Sequence, residues 1–157
     1  MRYLVRHGDD GDKRLWTGPE EDRPLSATGR LEAEGLIALL AGYPIHEIVS
    51  SPALRCSQTV EPLAGQRRLV VRTDAALSVD ADPDRAVALV LDSSTDGAVL
   101  CTHGELIRPV LARLRELGAP LGDELAWPKG SVWALEAVDG TITKATYLPP
   151  RQVDESR

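Results

Sequence analysis

Short apolar runs alternating with longer amphipathic segments predict an α/β fold, a three-layer sandwich on a mostly parallel central sheet. Three observations carry this expectation. Tyr3–Val5, Glu47–Val49, Leu69–Val71 and Ala98–Cys101 are too short for helices, yet long enough for buried strands. Between them lie stretches with helix start and stop signals. The chain then ends in two apolar runs around Asp139-Gly140, the pattern of a C-terminal β-hairpin.

The first strand, Tyr3-Leu4-Val5, is stopped by Arg6-His7-Gly8. Asp9 to Pro24 is polar and broken by Gly11, Gly18 and Pro19, and reads as a long surface loop, a kind that often carries function. Ser26 offers an N-cap, and Leu31, Gly35, Leu36, Leu39 and Leu40 give the following helix one apolar face, ended by Gly42 and Pro44. After the second strand, Ser51-Pro52 reads as a cap with proline at the first helical position, opening a helix towards Leu63. Asp82-Pro83 repeats that device for a helix through Leu91. The fourth strand runs into Thr102-His103-Gly104 and a helix over Glu105–Leu117, stopped by Gly118 and Pro120. Val132–Val138 and Thr141–Tyr147 form the hairpin. One domain over 1–148 accounts for the pattern, with a polar tail, 149–157, expected to fray.

With 157 residues the chain has room for one hydrophobic core, and the absence of Phe means that Leu, Val, Ile and Ala must fill it. A formal net charge of −6 argues against nucleic acid or an anionic membrane as partner. An anionic small ligand remains open, because a pocket obeys local charge and Arg6, Lys13, Arg23 and Arg55 are all candidates to line one. Two cysteines are too few for a disulfide framework, so a reduced, cytoplasmic protein is expected, with Cys101 a small buried hydrophobe. The apolar run at the N-terminus is too short for a signal peptide, and no segment has the length of a membrane span. Oligomeric state is not fixed by any of these features.

In parallel sheets, ligands bind beyond the carboxyl ends of the strands. Arg6-His7-Gly8, Ser50–Arg55 and Thr102-His103-Gly104 all fall at such ends and would open on one edge. Phosphoryl transfer through a covalent intermediate needs a nucleophile and cationic partners for the phosphoryl oxygens. Neutral imidazole supplies the first near neutral pH, and arginine forks supply the second. His7, Arg6, Arg55 and His103 form such a set.

Arg6-His7-Gly8 resembles the signature of the histidine phosphatase (phosphoglycerate mutase-like) superfamily. Ser50-Ser51-Pro52-Ala53-Leu54-Arg55-Cys56-Ser57-Gln58-Thr59 is similar to its second motif, and Thr102-His103-Gly104-Glu105 to the motif holding its second histidine. Arg23-Pro24-Leu25-Ser26-Ala27-Thr28-Gly29 is similar to the family's entry into its first helix. The four segments occur in order and span nearly the whole chain. The resemblance implies a phosphoglycerate mutase-like fold and a metal-independent phosphatase without cofactor. His7 would form the phosphohistidine; Arg6, Arg55 and His103 would grip the phosphoryl oxygens; Gly8 and Gly104 would let backbone approach the phosphate.

Within the family the chain resembles the compact branch, including bacterial phosphohistidine phosphatases and the histidine-phosphatase domains fused to Nudix hydrolases. Lys13 in the loop after the first motif, and Lys129-Gly130 before the last strands, are similar to the fused domains. The resemblance makes Lys13 a phosphate contact and Arg23 a weaker candidate. Many members place a glutamate after the third strand as proton donor to the leaving group. Here the region reads Leu77-Ser78-Val79-Asp80-Ala81-Asp82, where Asp80 is the candidate acid and Asp82 is committed to capping. The substrate is expected to be a nucleotide, another small phosphate or a phosphoprotein carrying phosphohistidine.

Each of these residues has a plainer alternative. Arg55 could be a solvated helical arginine, His103 a satisfied core histidine, Lys13 an exposed loop lysine, and Arg23 a donor to a loop carbonyl. His46 has no partner motif and is assigned no role; Trp16 is a candidate for the substrate mouth, Trp127 and Trp133 for packing. Cys101 to Arg108 has one residue too many for a cysteine-phosphatase loop, and His7 with Asp9 and Asp10 lacks a second cluster to make a metallophosphatase. A module of the same fold that binds a phosphate ligand without turnover is the alternative function.

Overall fold

The computed structural model describes residues 1–151; within the expected tail, 152–157 lie outside the described residues. Six strands and four α-helices follow in order: β1 (Arg2–Arg6), α1 (Ala27–Leu39), β2 (Glu47–Ser50), α2 (Leu54–Arg67), β3 (Val71–Thr73), α3 (Pro83–Leu91), β4 (Ala98–Thr102), α4 (Gly104–Glu116), β5 (Val132–Val138) and β6 (Thr141–Leu148). The strands form one sheet in the order β3-β2-β4-β1-β5-β6. β3, β2, β4 and β1 are parallel, whereas β5 runs antiparallel to β1 and β6 antiparallel to β5. The α/β sandwich with a mostly parallel sheet is therefore as the alternating pattern predicts.

Side chains alternate across the pleat and fill two cores. Leu4, Val49 and Leu100 face α3 and α4, where Val87, Val90, Leu106, Leu111 and Leu114 pack against them. Tyr3, Val5, Ile48, Val99 and Cys101 face α1 and α2, against Leu36, Leu40, Val60 and Leu63. β1 and β4 are buried on both sides, which is why they read as unbroken apolar runs. Three layers result, with helices closing both faces.

Two boundaries depart from the sequence pattern. Leu69–Val71 was the expected third strand, but pairing begins at Val71, and Val70 is 87% exposed. Arg68 takes a left-handed conformation (φ 58°) and the Leu69 N–H closes on the Ala64 carbonyl at 2.9 Å, so Leu69 is still capping α2. The second departure is at α2, which begins at Leu54 with Ala53 as N-cap, not at Ser51-Pro52. Ser51 is drawn into another bond, described below. Ser26 and Asp82 cap α1 and α3 as expected, accepting from the Gly29 and Asp84 amides at 3.1 and 2.9 Å. Asp139 (φ 52°) and Gly140 (φ 77°) both lie in the left-handed region, the requirement of the tight turn that joins β5 to β6.

The first turn of α1 also holds the loop that follows β1. Asp9 accepts from the Ser26 amide at 2.9 Å, and a Cβ on Gly29 would sit 2.0 Å from the Asp9 carbonyl oxygen. Alanine inside a helix normally gains about 1 kcal/mol over glycine. Here that gain is outweighed, because rigid backbone has to move. Gly29→Ala is expected to destabilise the fold by at least about 2 kcal/mol in chemical denaturation, the scale of overpacking in a close-packed interior.

Candidate active site

The ends of β1, β2 and β4 are tied side by side. Arg6 is paired with Thr102 and Ser50 with Cys101 in the parallel ladders. One residue further, the His7 amide donates to the Thr102 carbonyl at 3.0 Å and the Ser51 amide to the Cys101 carbonyl at 2.9 Å. The next positions, His7 and His103, are therefore neighbours, with ring centroids 5.4 Å apart and rings 69° from coplanar. Both rings are buried, at 4% and 1% exposure.

Each ring's hydrogen bonds define its tautomer. His7 Nδ1 is 2.7 Å from the Gly8 carbonyl oxygen, which can only accept, so Nδ1 carries the proton and Nε2 keeps a lone pair. Burial lowers the pKa of His7 below the ordinary 6.5; Cys56, the Gly8 carbonyl and Asp10 act in the opposite direction, and His103 lowers it further. His103 is held the other way round. Arg55 Nη2 donates to its Nδ1 at 3.3 Å, so Nε2 bears the proton and donates to Ser51 Oγ at 2.8 Å. Ser51 Oγ thus orients an imidazole and also accepts from the Ala53 amide at 3.3 Å, in the turn that precedes α2.

The cations reach the same place from different elements. Arg55, on the first turn of α2, is 5% exposed and donates through Nη1 to the Glu20 carbonyl at 3.0 Å. Arg6, at the end of β1, donates through Nη1 to the Trp127 carbonyl at 2.8 Å. Its guanidinium lies where a side chain on residue 104 would go: a Cβ there would be 2.7 Å from Cζ. Gly104 therefore makes room for an arginine of the protein itself. Gly8 is tight against Gly29 of α1, where a Cβ on residue 8 would lie 2.9 Å from the Gly29 carbonyl oxygen, and its amide donates to Thr59 Oγ1 at 3.0 Å.

These side chains border a cleft of about 390 Å³ that contains Arg6, His7, Arg55, Lys13 and Arg23. Lys13 enters from a short 3-10 turn in the Asp9–Pro24 loop. Arg23 donates through Nη1 to the Asp10 carbonyl at 2.6 Å, the loop-carbonyl bond expected of it, and also pairs with Asp10 and Glu20. A smaller lobe of about 150 Å³ shares Glu20, Arg55 and Val79 with the main cleft and contains His103 and Asp80. The helix cap at Asp82 leaves Asp80 as the carboxylate of that segment facing a cavity. Trp16 lies outside both lobes, bonded through Nε1 to the Pro19 carbonyl at 2.8 Å. Among the described residues, no group of three or more His, Cys, Asp or Glu is placed to hold a metal ion.

Three contributors were not legible as site residues. In the sequence Asp10 figures only beside His7 and Asp9 in an incomplete metal cluster, Glu20 carries no signal of its own, and Lys129 appears only as half of a Lys-Gly pair. Asp10 is buried; its Oδ1 is 2.6 Å from Lys129 Nζ and its Oδ2 is 2.8 Å from Arg23 Nη2 and 3.5 Å from Arg55 Nε. Burial pushes the Asp10 carboxyl up. The hydrogen bond from Lys129 and the charges of His7, Lys129 and Arg23 together outweigh it and hold the group below the usual carboxylate range. Lys129 is positioned by Gly130 (φ 82°), whose amide donates to the carbonyls of both Arg6 and His7 at 3.1 Å.

Residues 2–78 match the sequence family described as the histidine phosphatase superfamily, branch 1. An 8-oxo-(d)GTP phosphatase of Mycolicibacterium smegmatis is 30% identical over 152 residues, which is 94% of this chain and 47% of that protein. The chain belongs to the histidine phosphatase superfamily. Among solved structures of similar fold is the protein histidine phosphatase SixA complexed with tungstate, at a TM-score of 0.72 and 21% identity, covering 96% of each chain. A phosphoserine phosphatase from Entamoeba histolytica in complex with 3-phosphoglyceric acid gives a TM-score of 0.73 at 15% identity, covering 96% of this chain and 97% of the other. These two likenesses are of fold. The chain spans about half the length of the curated relative it matches. No helix among the described residues is long and apolar enough to cross a membrane.

The two imidazoles give a direct test of the geometry. In nitrogen-detected NMR, His7 is expected as the Nδ1–H tautomer with a titration midpoint below 6.5, and His103 as the Nε2–H tautomer. Finding Nε2 of His7 protonated at neutral pH would contradict the arrangement.

Proposed function

We propose that the chain is a metal-independent phosphatase in which His7 Nε2 is the nucleophile. The observation that supports this most is the His7 ring itself: Nδ1 is tied to a carbonyl, Nε2 keeps its lone pair, and the ring borders a cleft lined by Arg6 and Arg55. A pKa lowered by burial keeps that lone pair available at neutral pH.

In this reading a phosphoryl group enters beside His7, and Arg6 and Arg55 bind its oxygens through charge-assisted hydrogen bonds. An oxygen placed between Arg55 and His103 takes the bond that Arg55 now gives to His103 Nδ1. Nε2 of His7 forms a bond to phosphorus, the bond to the leaving group breaks, and the leaving group takes a proton. Water then attacks phosphorus, the P–N bond breaks, and its electron pair returns to Nε2. Gly8 and Gly104 serve this site by close packing, Gly104 leaving space for the Arg6 guanidinium. Lys13 at the cleft wall adds a further phosphate contact, and Arg23 contributes through Asp10 and Glu20.

Two carboxylates border the two lobes with no ion pair among the described residues, Glu105 in the main cleft and Asp80 in the lobe with His103. The leaving-group proton is assigned to this pair, since Asp10 and Glu20 are held as carboxylates by their cationic partners. The substrate class is a nucleotide, another small phosphate ester or a protein phosphohistidine. The first finds support in the activity of the Mycolicibacterium relative, an 8-oxo-(d)GTP phosphatase.

The experiment is steady-state hydrolysis of an aryl phosphate. His7→Ala is expected to lower kcat by at least about 10³-fold with its melting temperature near that of the wild type, the scale expected when a covalent nucleophile is removed. Retention of full activity in a folded His7→Ala protein would overturn the mechanism. Binding of phosphate without turnover in the wild type would favour the binding-module alternative. A chelator is expected to leave the rate unchanged, and inhibition reversed by added metal would count against metal independence. The acid limb of kcat/KM should fall below pH 6.5, because His7 has to be neutral and burial lowers its pKa. A limb at or above 6.5 would reassign the group that titrates.

A further inference from the structure

Leu15 and Trp16 have no part in the mechanism above, yet they stand side by side at the surface, 80% and 36% exposed. With Pro24 and the buried Leu25 they border a cavity of about 230 Å³. Asp10, Gly11 and Arg23 line both this cavity and the main cleft, so the two share a wall. At Gly11 that wall carries no side chain, and even a Cβ there would meet nothing within 4 Å.

We propose that this cavity is a subsite for the leaving group, in which Trp16 and Leu15 are specificity-determining residues that favour phosphate esters carrying a flat aromatic ring. The inference rests on the phosphatase reading for the place of the phosphoryl group beside His7, and deepens it. Three physical features suit that occupant. The first is charge. Arg23 is the one cation among the residues that line the cavity, and it already pairs with Asp10 and Glu20. The remaining acid there, Asp12, pairs with Arg14. The main cleft, in contrast, offers Arg6, Arg55 and Lys13. An anion is therefore drawn to the main cleft and an uncharged group to its neighbour.

The second feature is the setting of Trp16. Its Nε1 donates to the Pro19 carbonyl at 2.8 Å, and a Cβ on Gly18 would lie 2.9 Å from Cζ2 and 3.3 Å from Nε1. Both contacts hold the Nε1 edge of the indole and leave the ring to border the cavity. A ring fixed before the ligand arrives gives up little freedom on stacking, and aromatic pairs gain energy beyond the area they bury. The third is reach. Trp16 ends the 3-10 turn that begins at Lys13. Such a turn rises about 2 Å per residue, which puts Trp16 about 6 Å along it from the lysine of the main cleft. A linker of a few single bonds between phosphorus and ring spans that distance.

Calorimetric titration of the whole chain with butylphosphonate and phenylbutylphosphonate, which differ by one ring and are not hydrolysed, tests this. The wild type is expected to bind phenylbutylphosphonate about tenfold tighter, the scale of one stacked ring. Trp16→Ala is expected to remove most of that preference while changing butylphosphonate by less than about threefold, and Trp16→Phe to keep it. Leu15→Ser, at a position too exposed to affect folding, gives a second reading should Trp16→Ala not fold. It is expected to lower the preference about threefold, and an unchanged preference there would sink the idea. Inorganic phosphate is expected to displace both ligands, since each phosphonate takes the place beside His7. No preference in the wild type, or phenylbutylphosphonate that phosphate does not displace, would overturn the proposal. So would a preference that survives Trp16→Ala, which would turn Leu15 and Trp16 into a contact for another protein. Aryl phosphate turnover by the wild type is measured separately. A protein that shows the Trp16-dependent preference yet turns nothing over would refute the phosphatase reading and leave the subsite intact.

Discussion

The site depends on the parallel ladder running one residue past the formal ends of its strands. The His7 amide bonds to the Thr102 carbonyl, and the Ser51 amide to the Cys101 carbonyl. Those bonds place two imidazoles and a hydroxyl in adjacent columns at about one strand spacing. Nothing in the loops could hold them as tightly, because loop backbone lacks lateral partners. The geometry of the candidate site is here a by-product of sheet register, and the cores above and below the sheet stabilise the site by fixing that register.

Around this frame the buried charges are arranged to leave few groups with a choice. His7 has one proton and one acceptor for it; His103 receives from Arg55 and gives to Ser51. Arg55 is further anchored by the Glu20 carbonyl, and Arg6 by the Trp127 carbonyl. Side chains held this way lose little freedom when an anion arrives, which is the physical content of preorganisation. The arginines therefore face the cleft in place before any ligand is bound.

Much of this was legible in the sequence, for an identifiable reason. Strands buried on both faces read as unbroken apolar runs, and Ser26 and Asp82 act as the caps that their residue types suggest. Arg6, His7, Arg55 and His103 stood out because they follow strand ends. Residues whose partners are distant in the chain did not. Asp10 is 119 residues from Lys129, and Ser51 is 52 from His103. Ser51 was misread for a further reason: a serine before proline has a local explanation as a cap, and only the fold reveals the imidazole that claims its hydroxyl. The start of β3 was missed because Leu69 and Val70 have strand-like side chains, whereas the backbone at Arg68 is still turning out of α2.

The double acceptor arrangement at the Gly130 amide has a consequence for how such a domain can vary. Because that single N–H grips the carbonyls of both Arg6 and His7, the segment before β5 is indexed to the end of β1 and His7 and not to the hairpin. Lengthening the exposed stretch Gly122–Glu124, beyond the buried Ala119 and Leu121, would only enlarge a surface excursion. Adding one residue between Trp127 and Gly130 would slide either the carbonyl that holds Arg6 or the ammonium that neutralises Asp10 out of place. Natural or engineered diversity in this connection should accordingly gather upstream of Trp127, with the short stretch beyond it behaving as a fixed ruler.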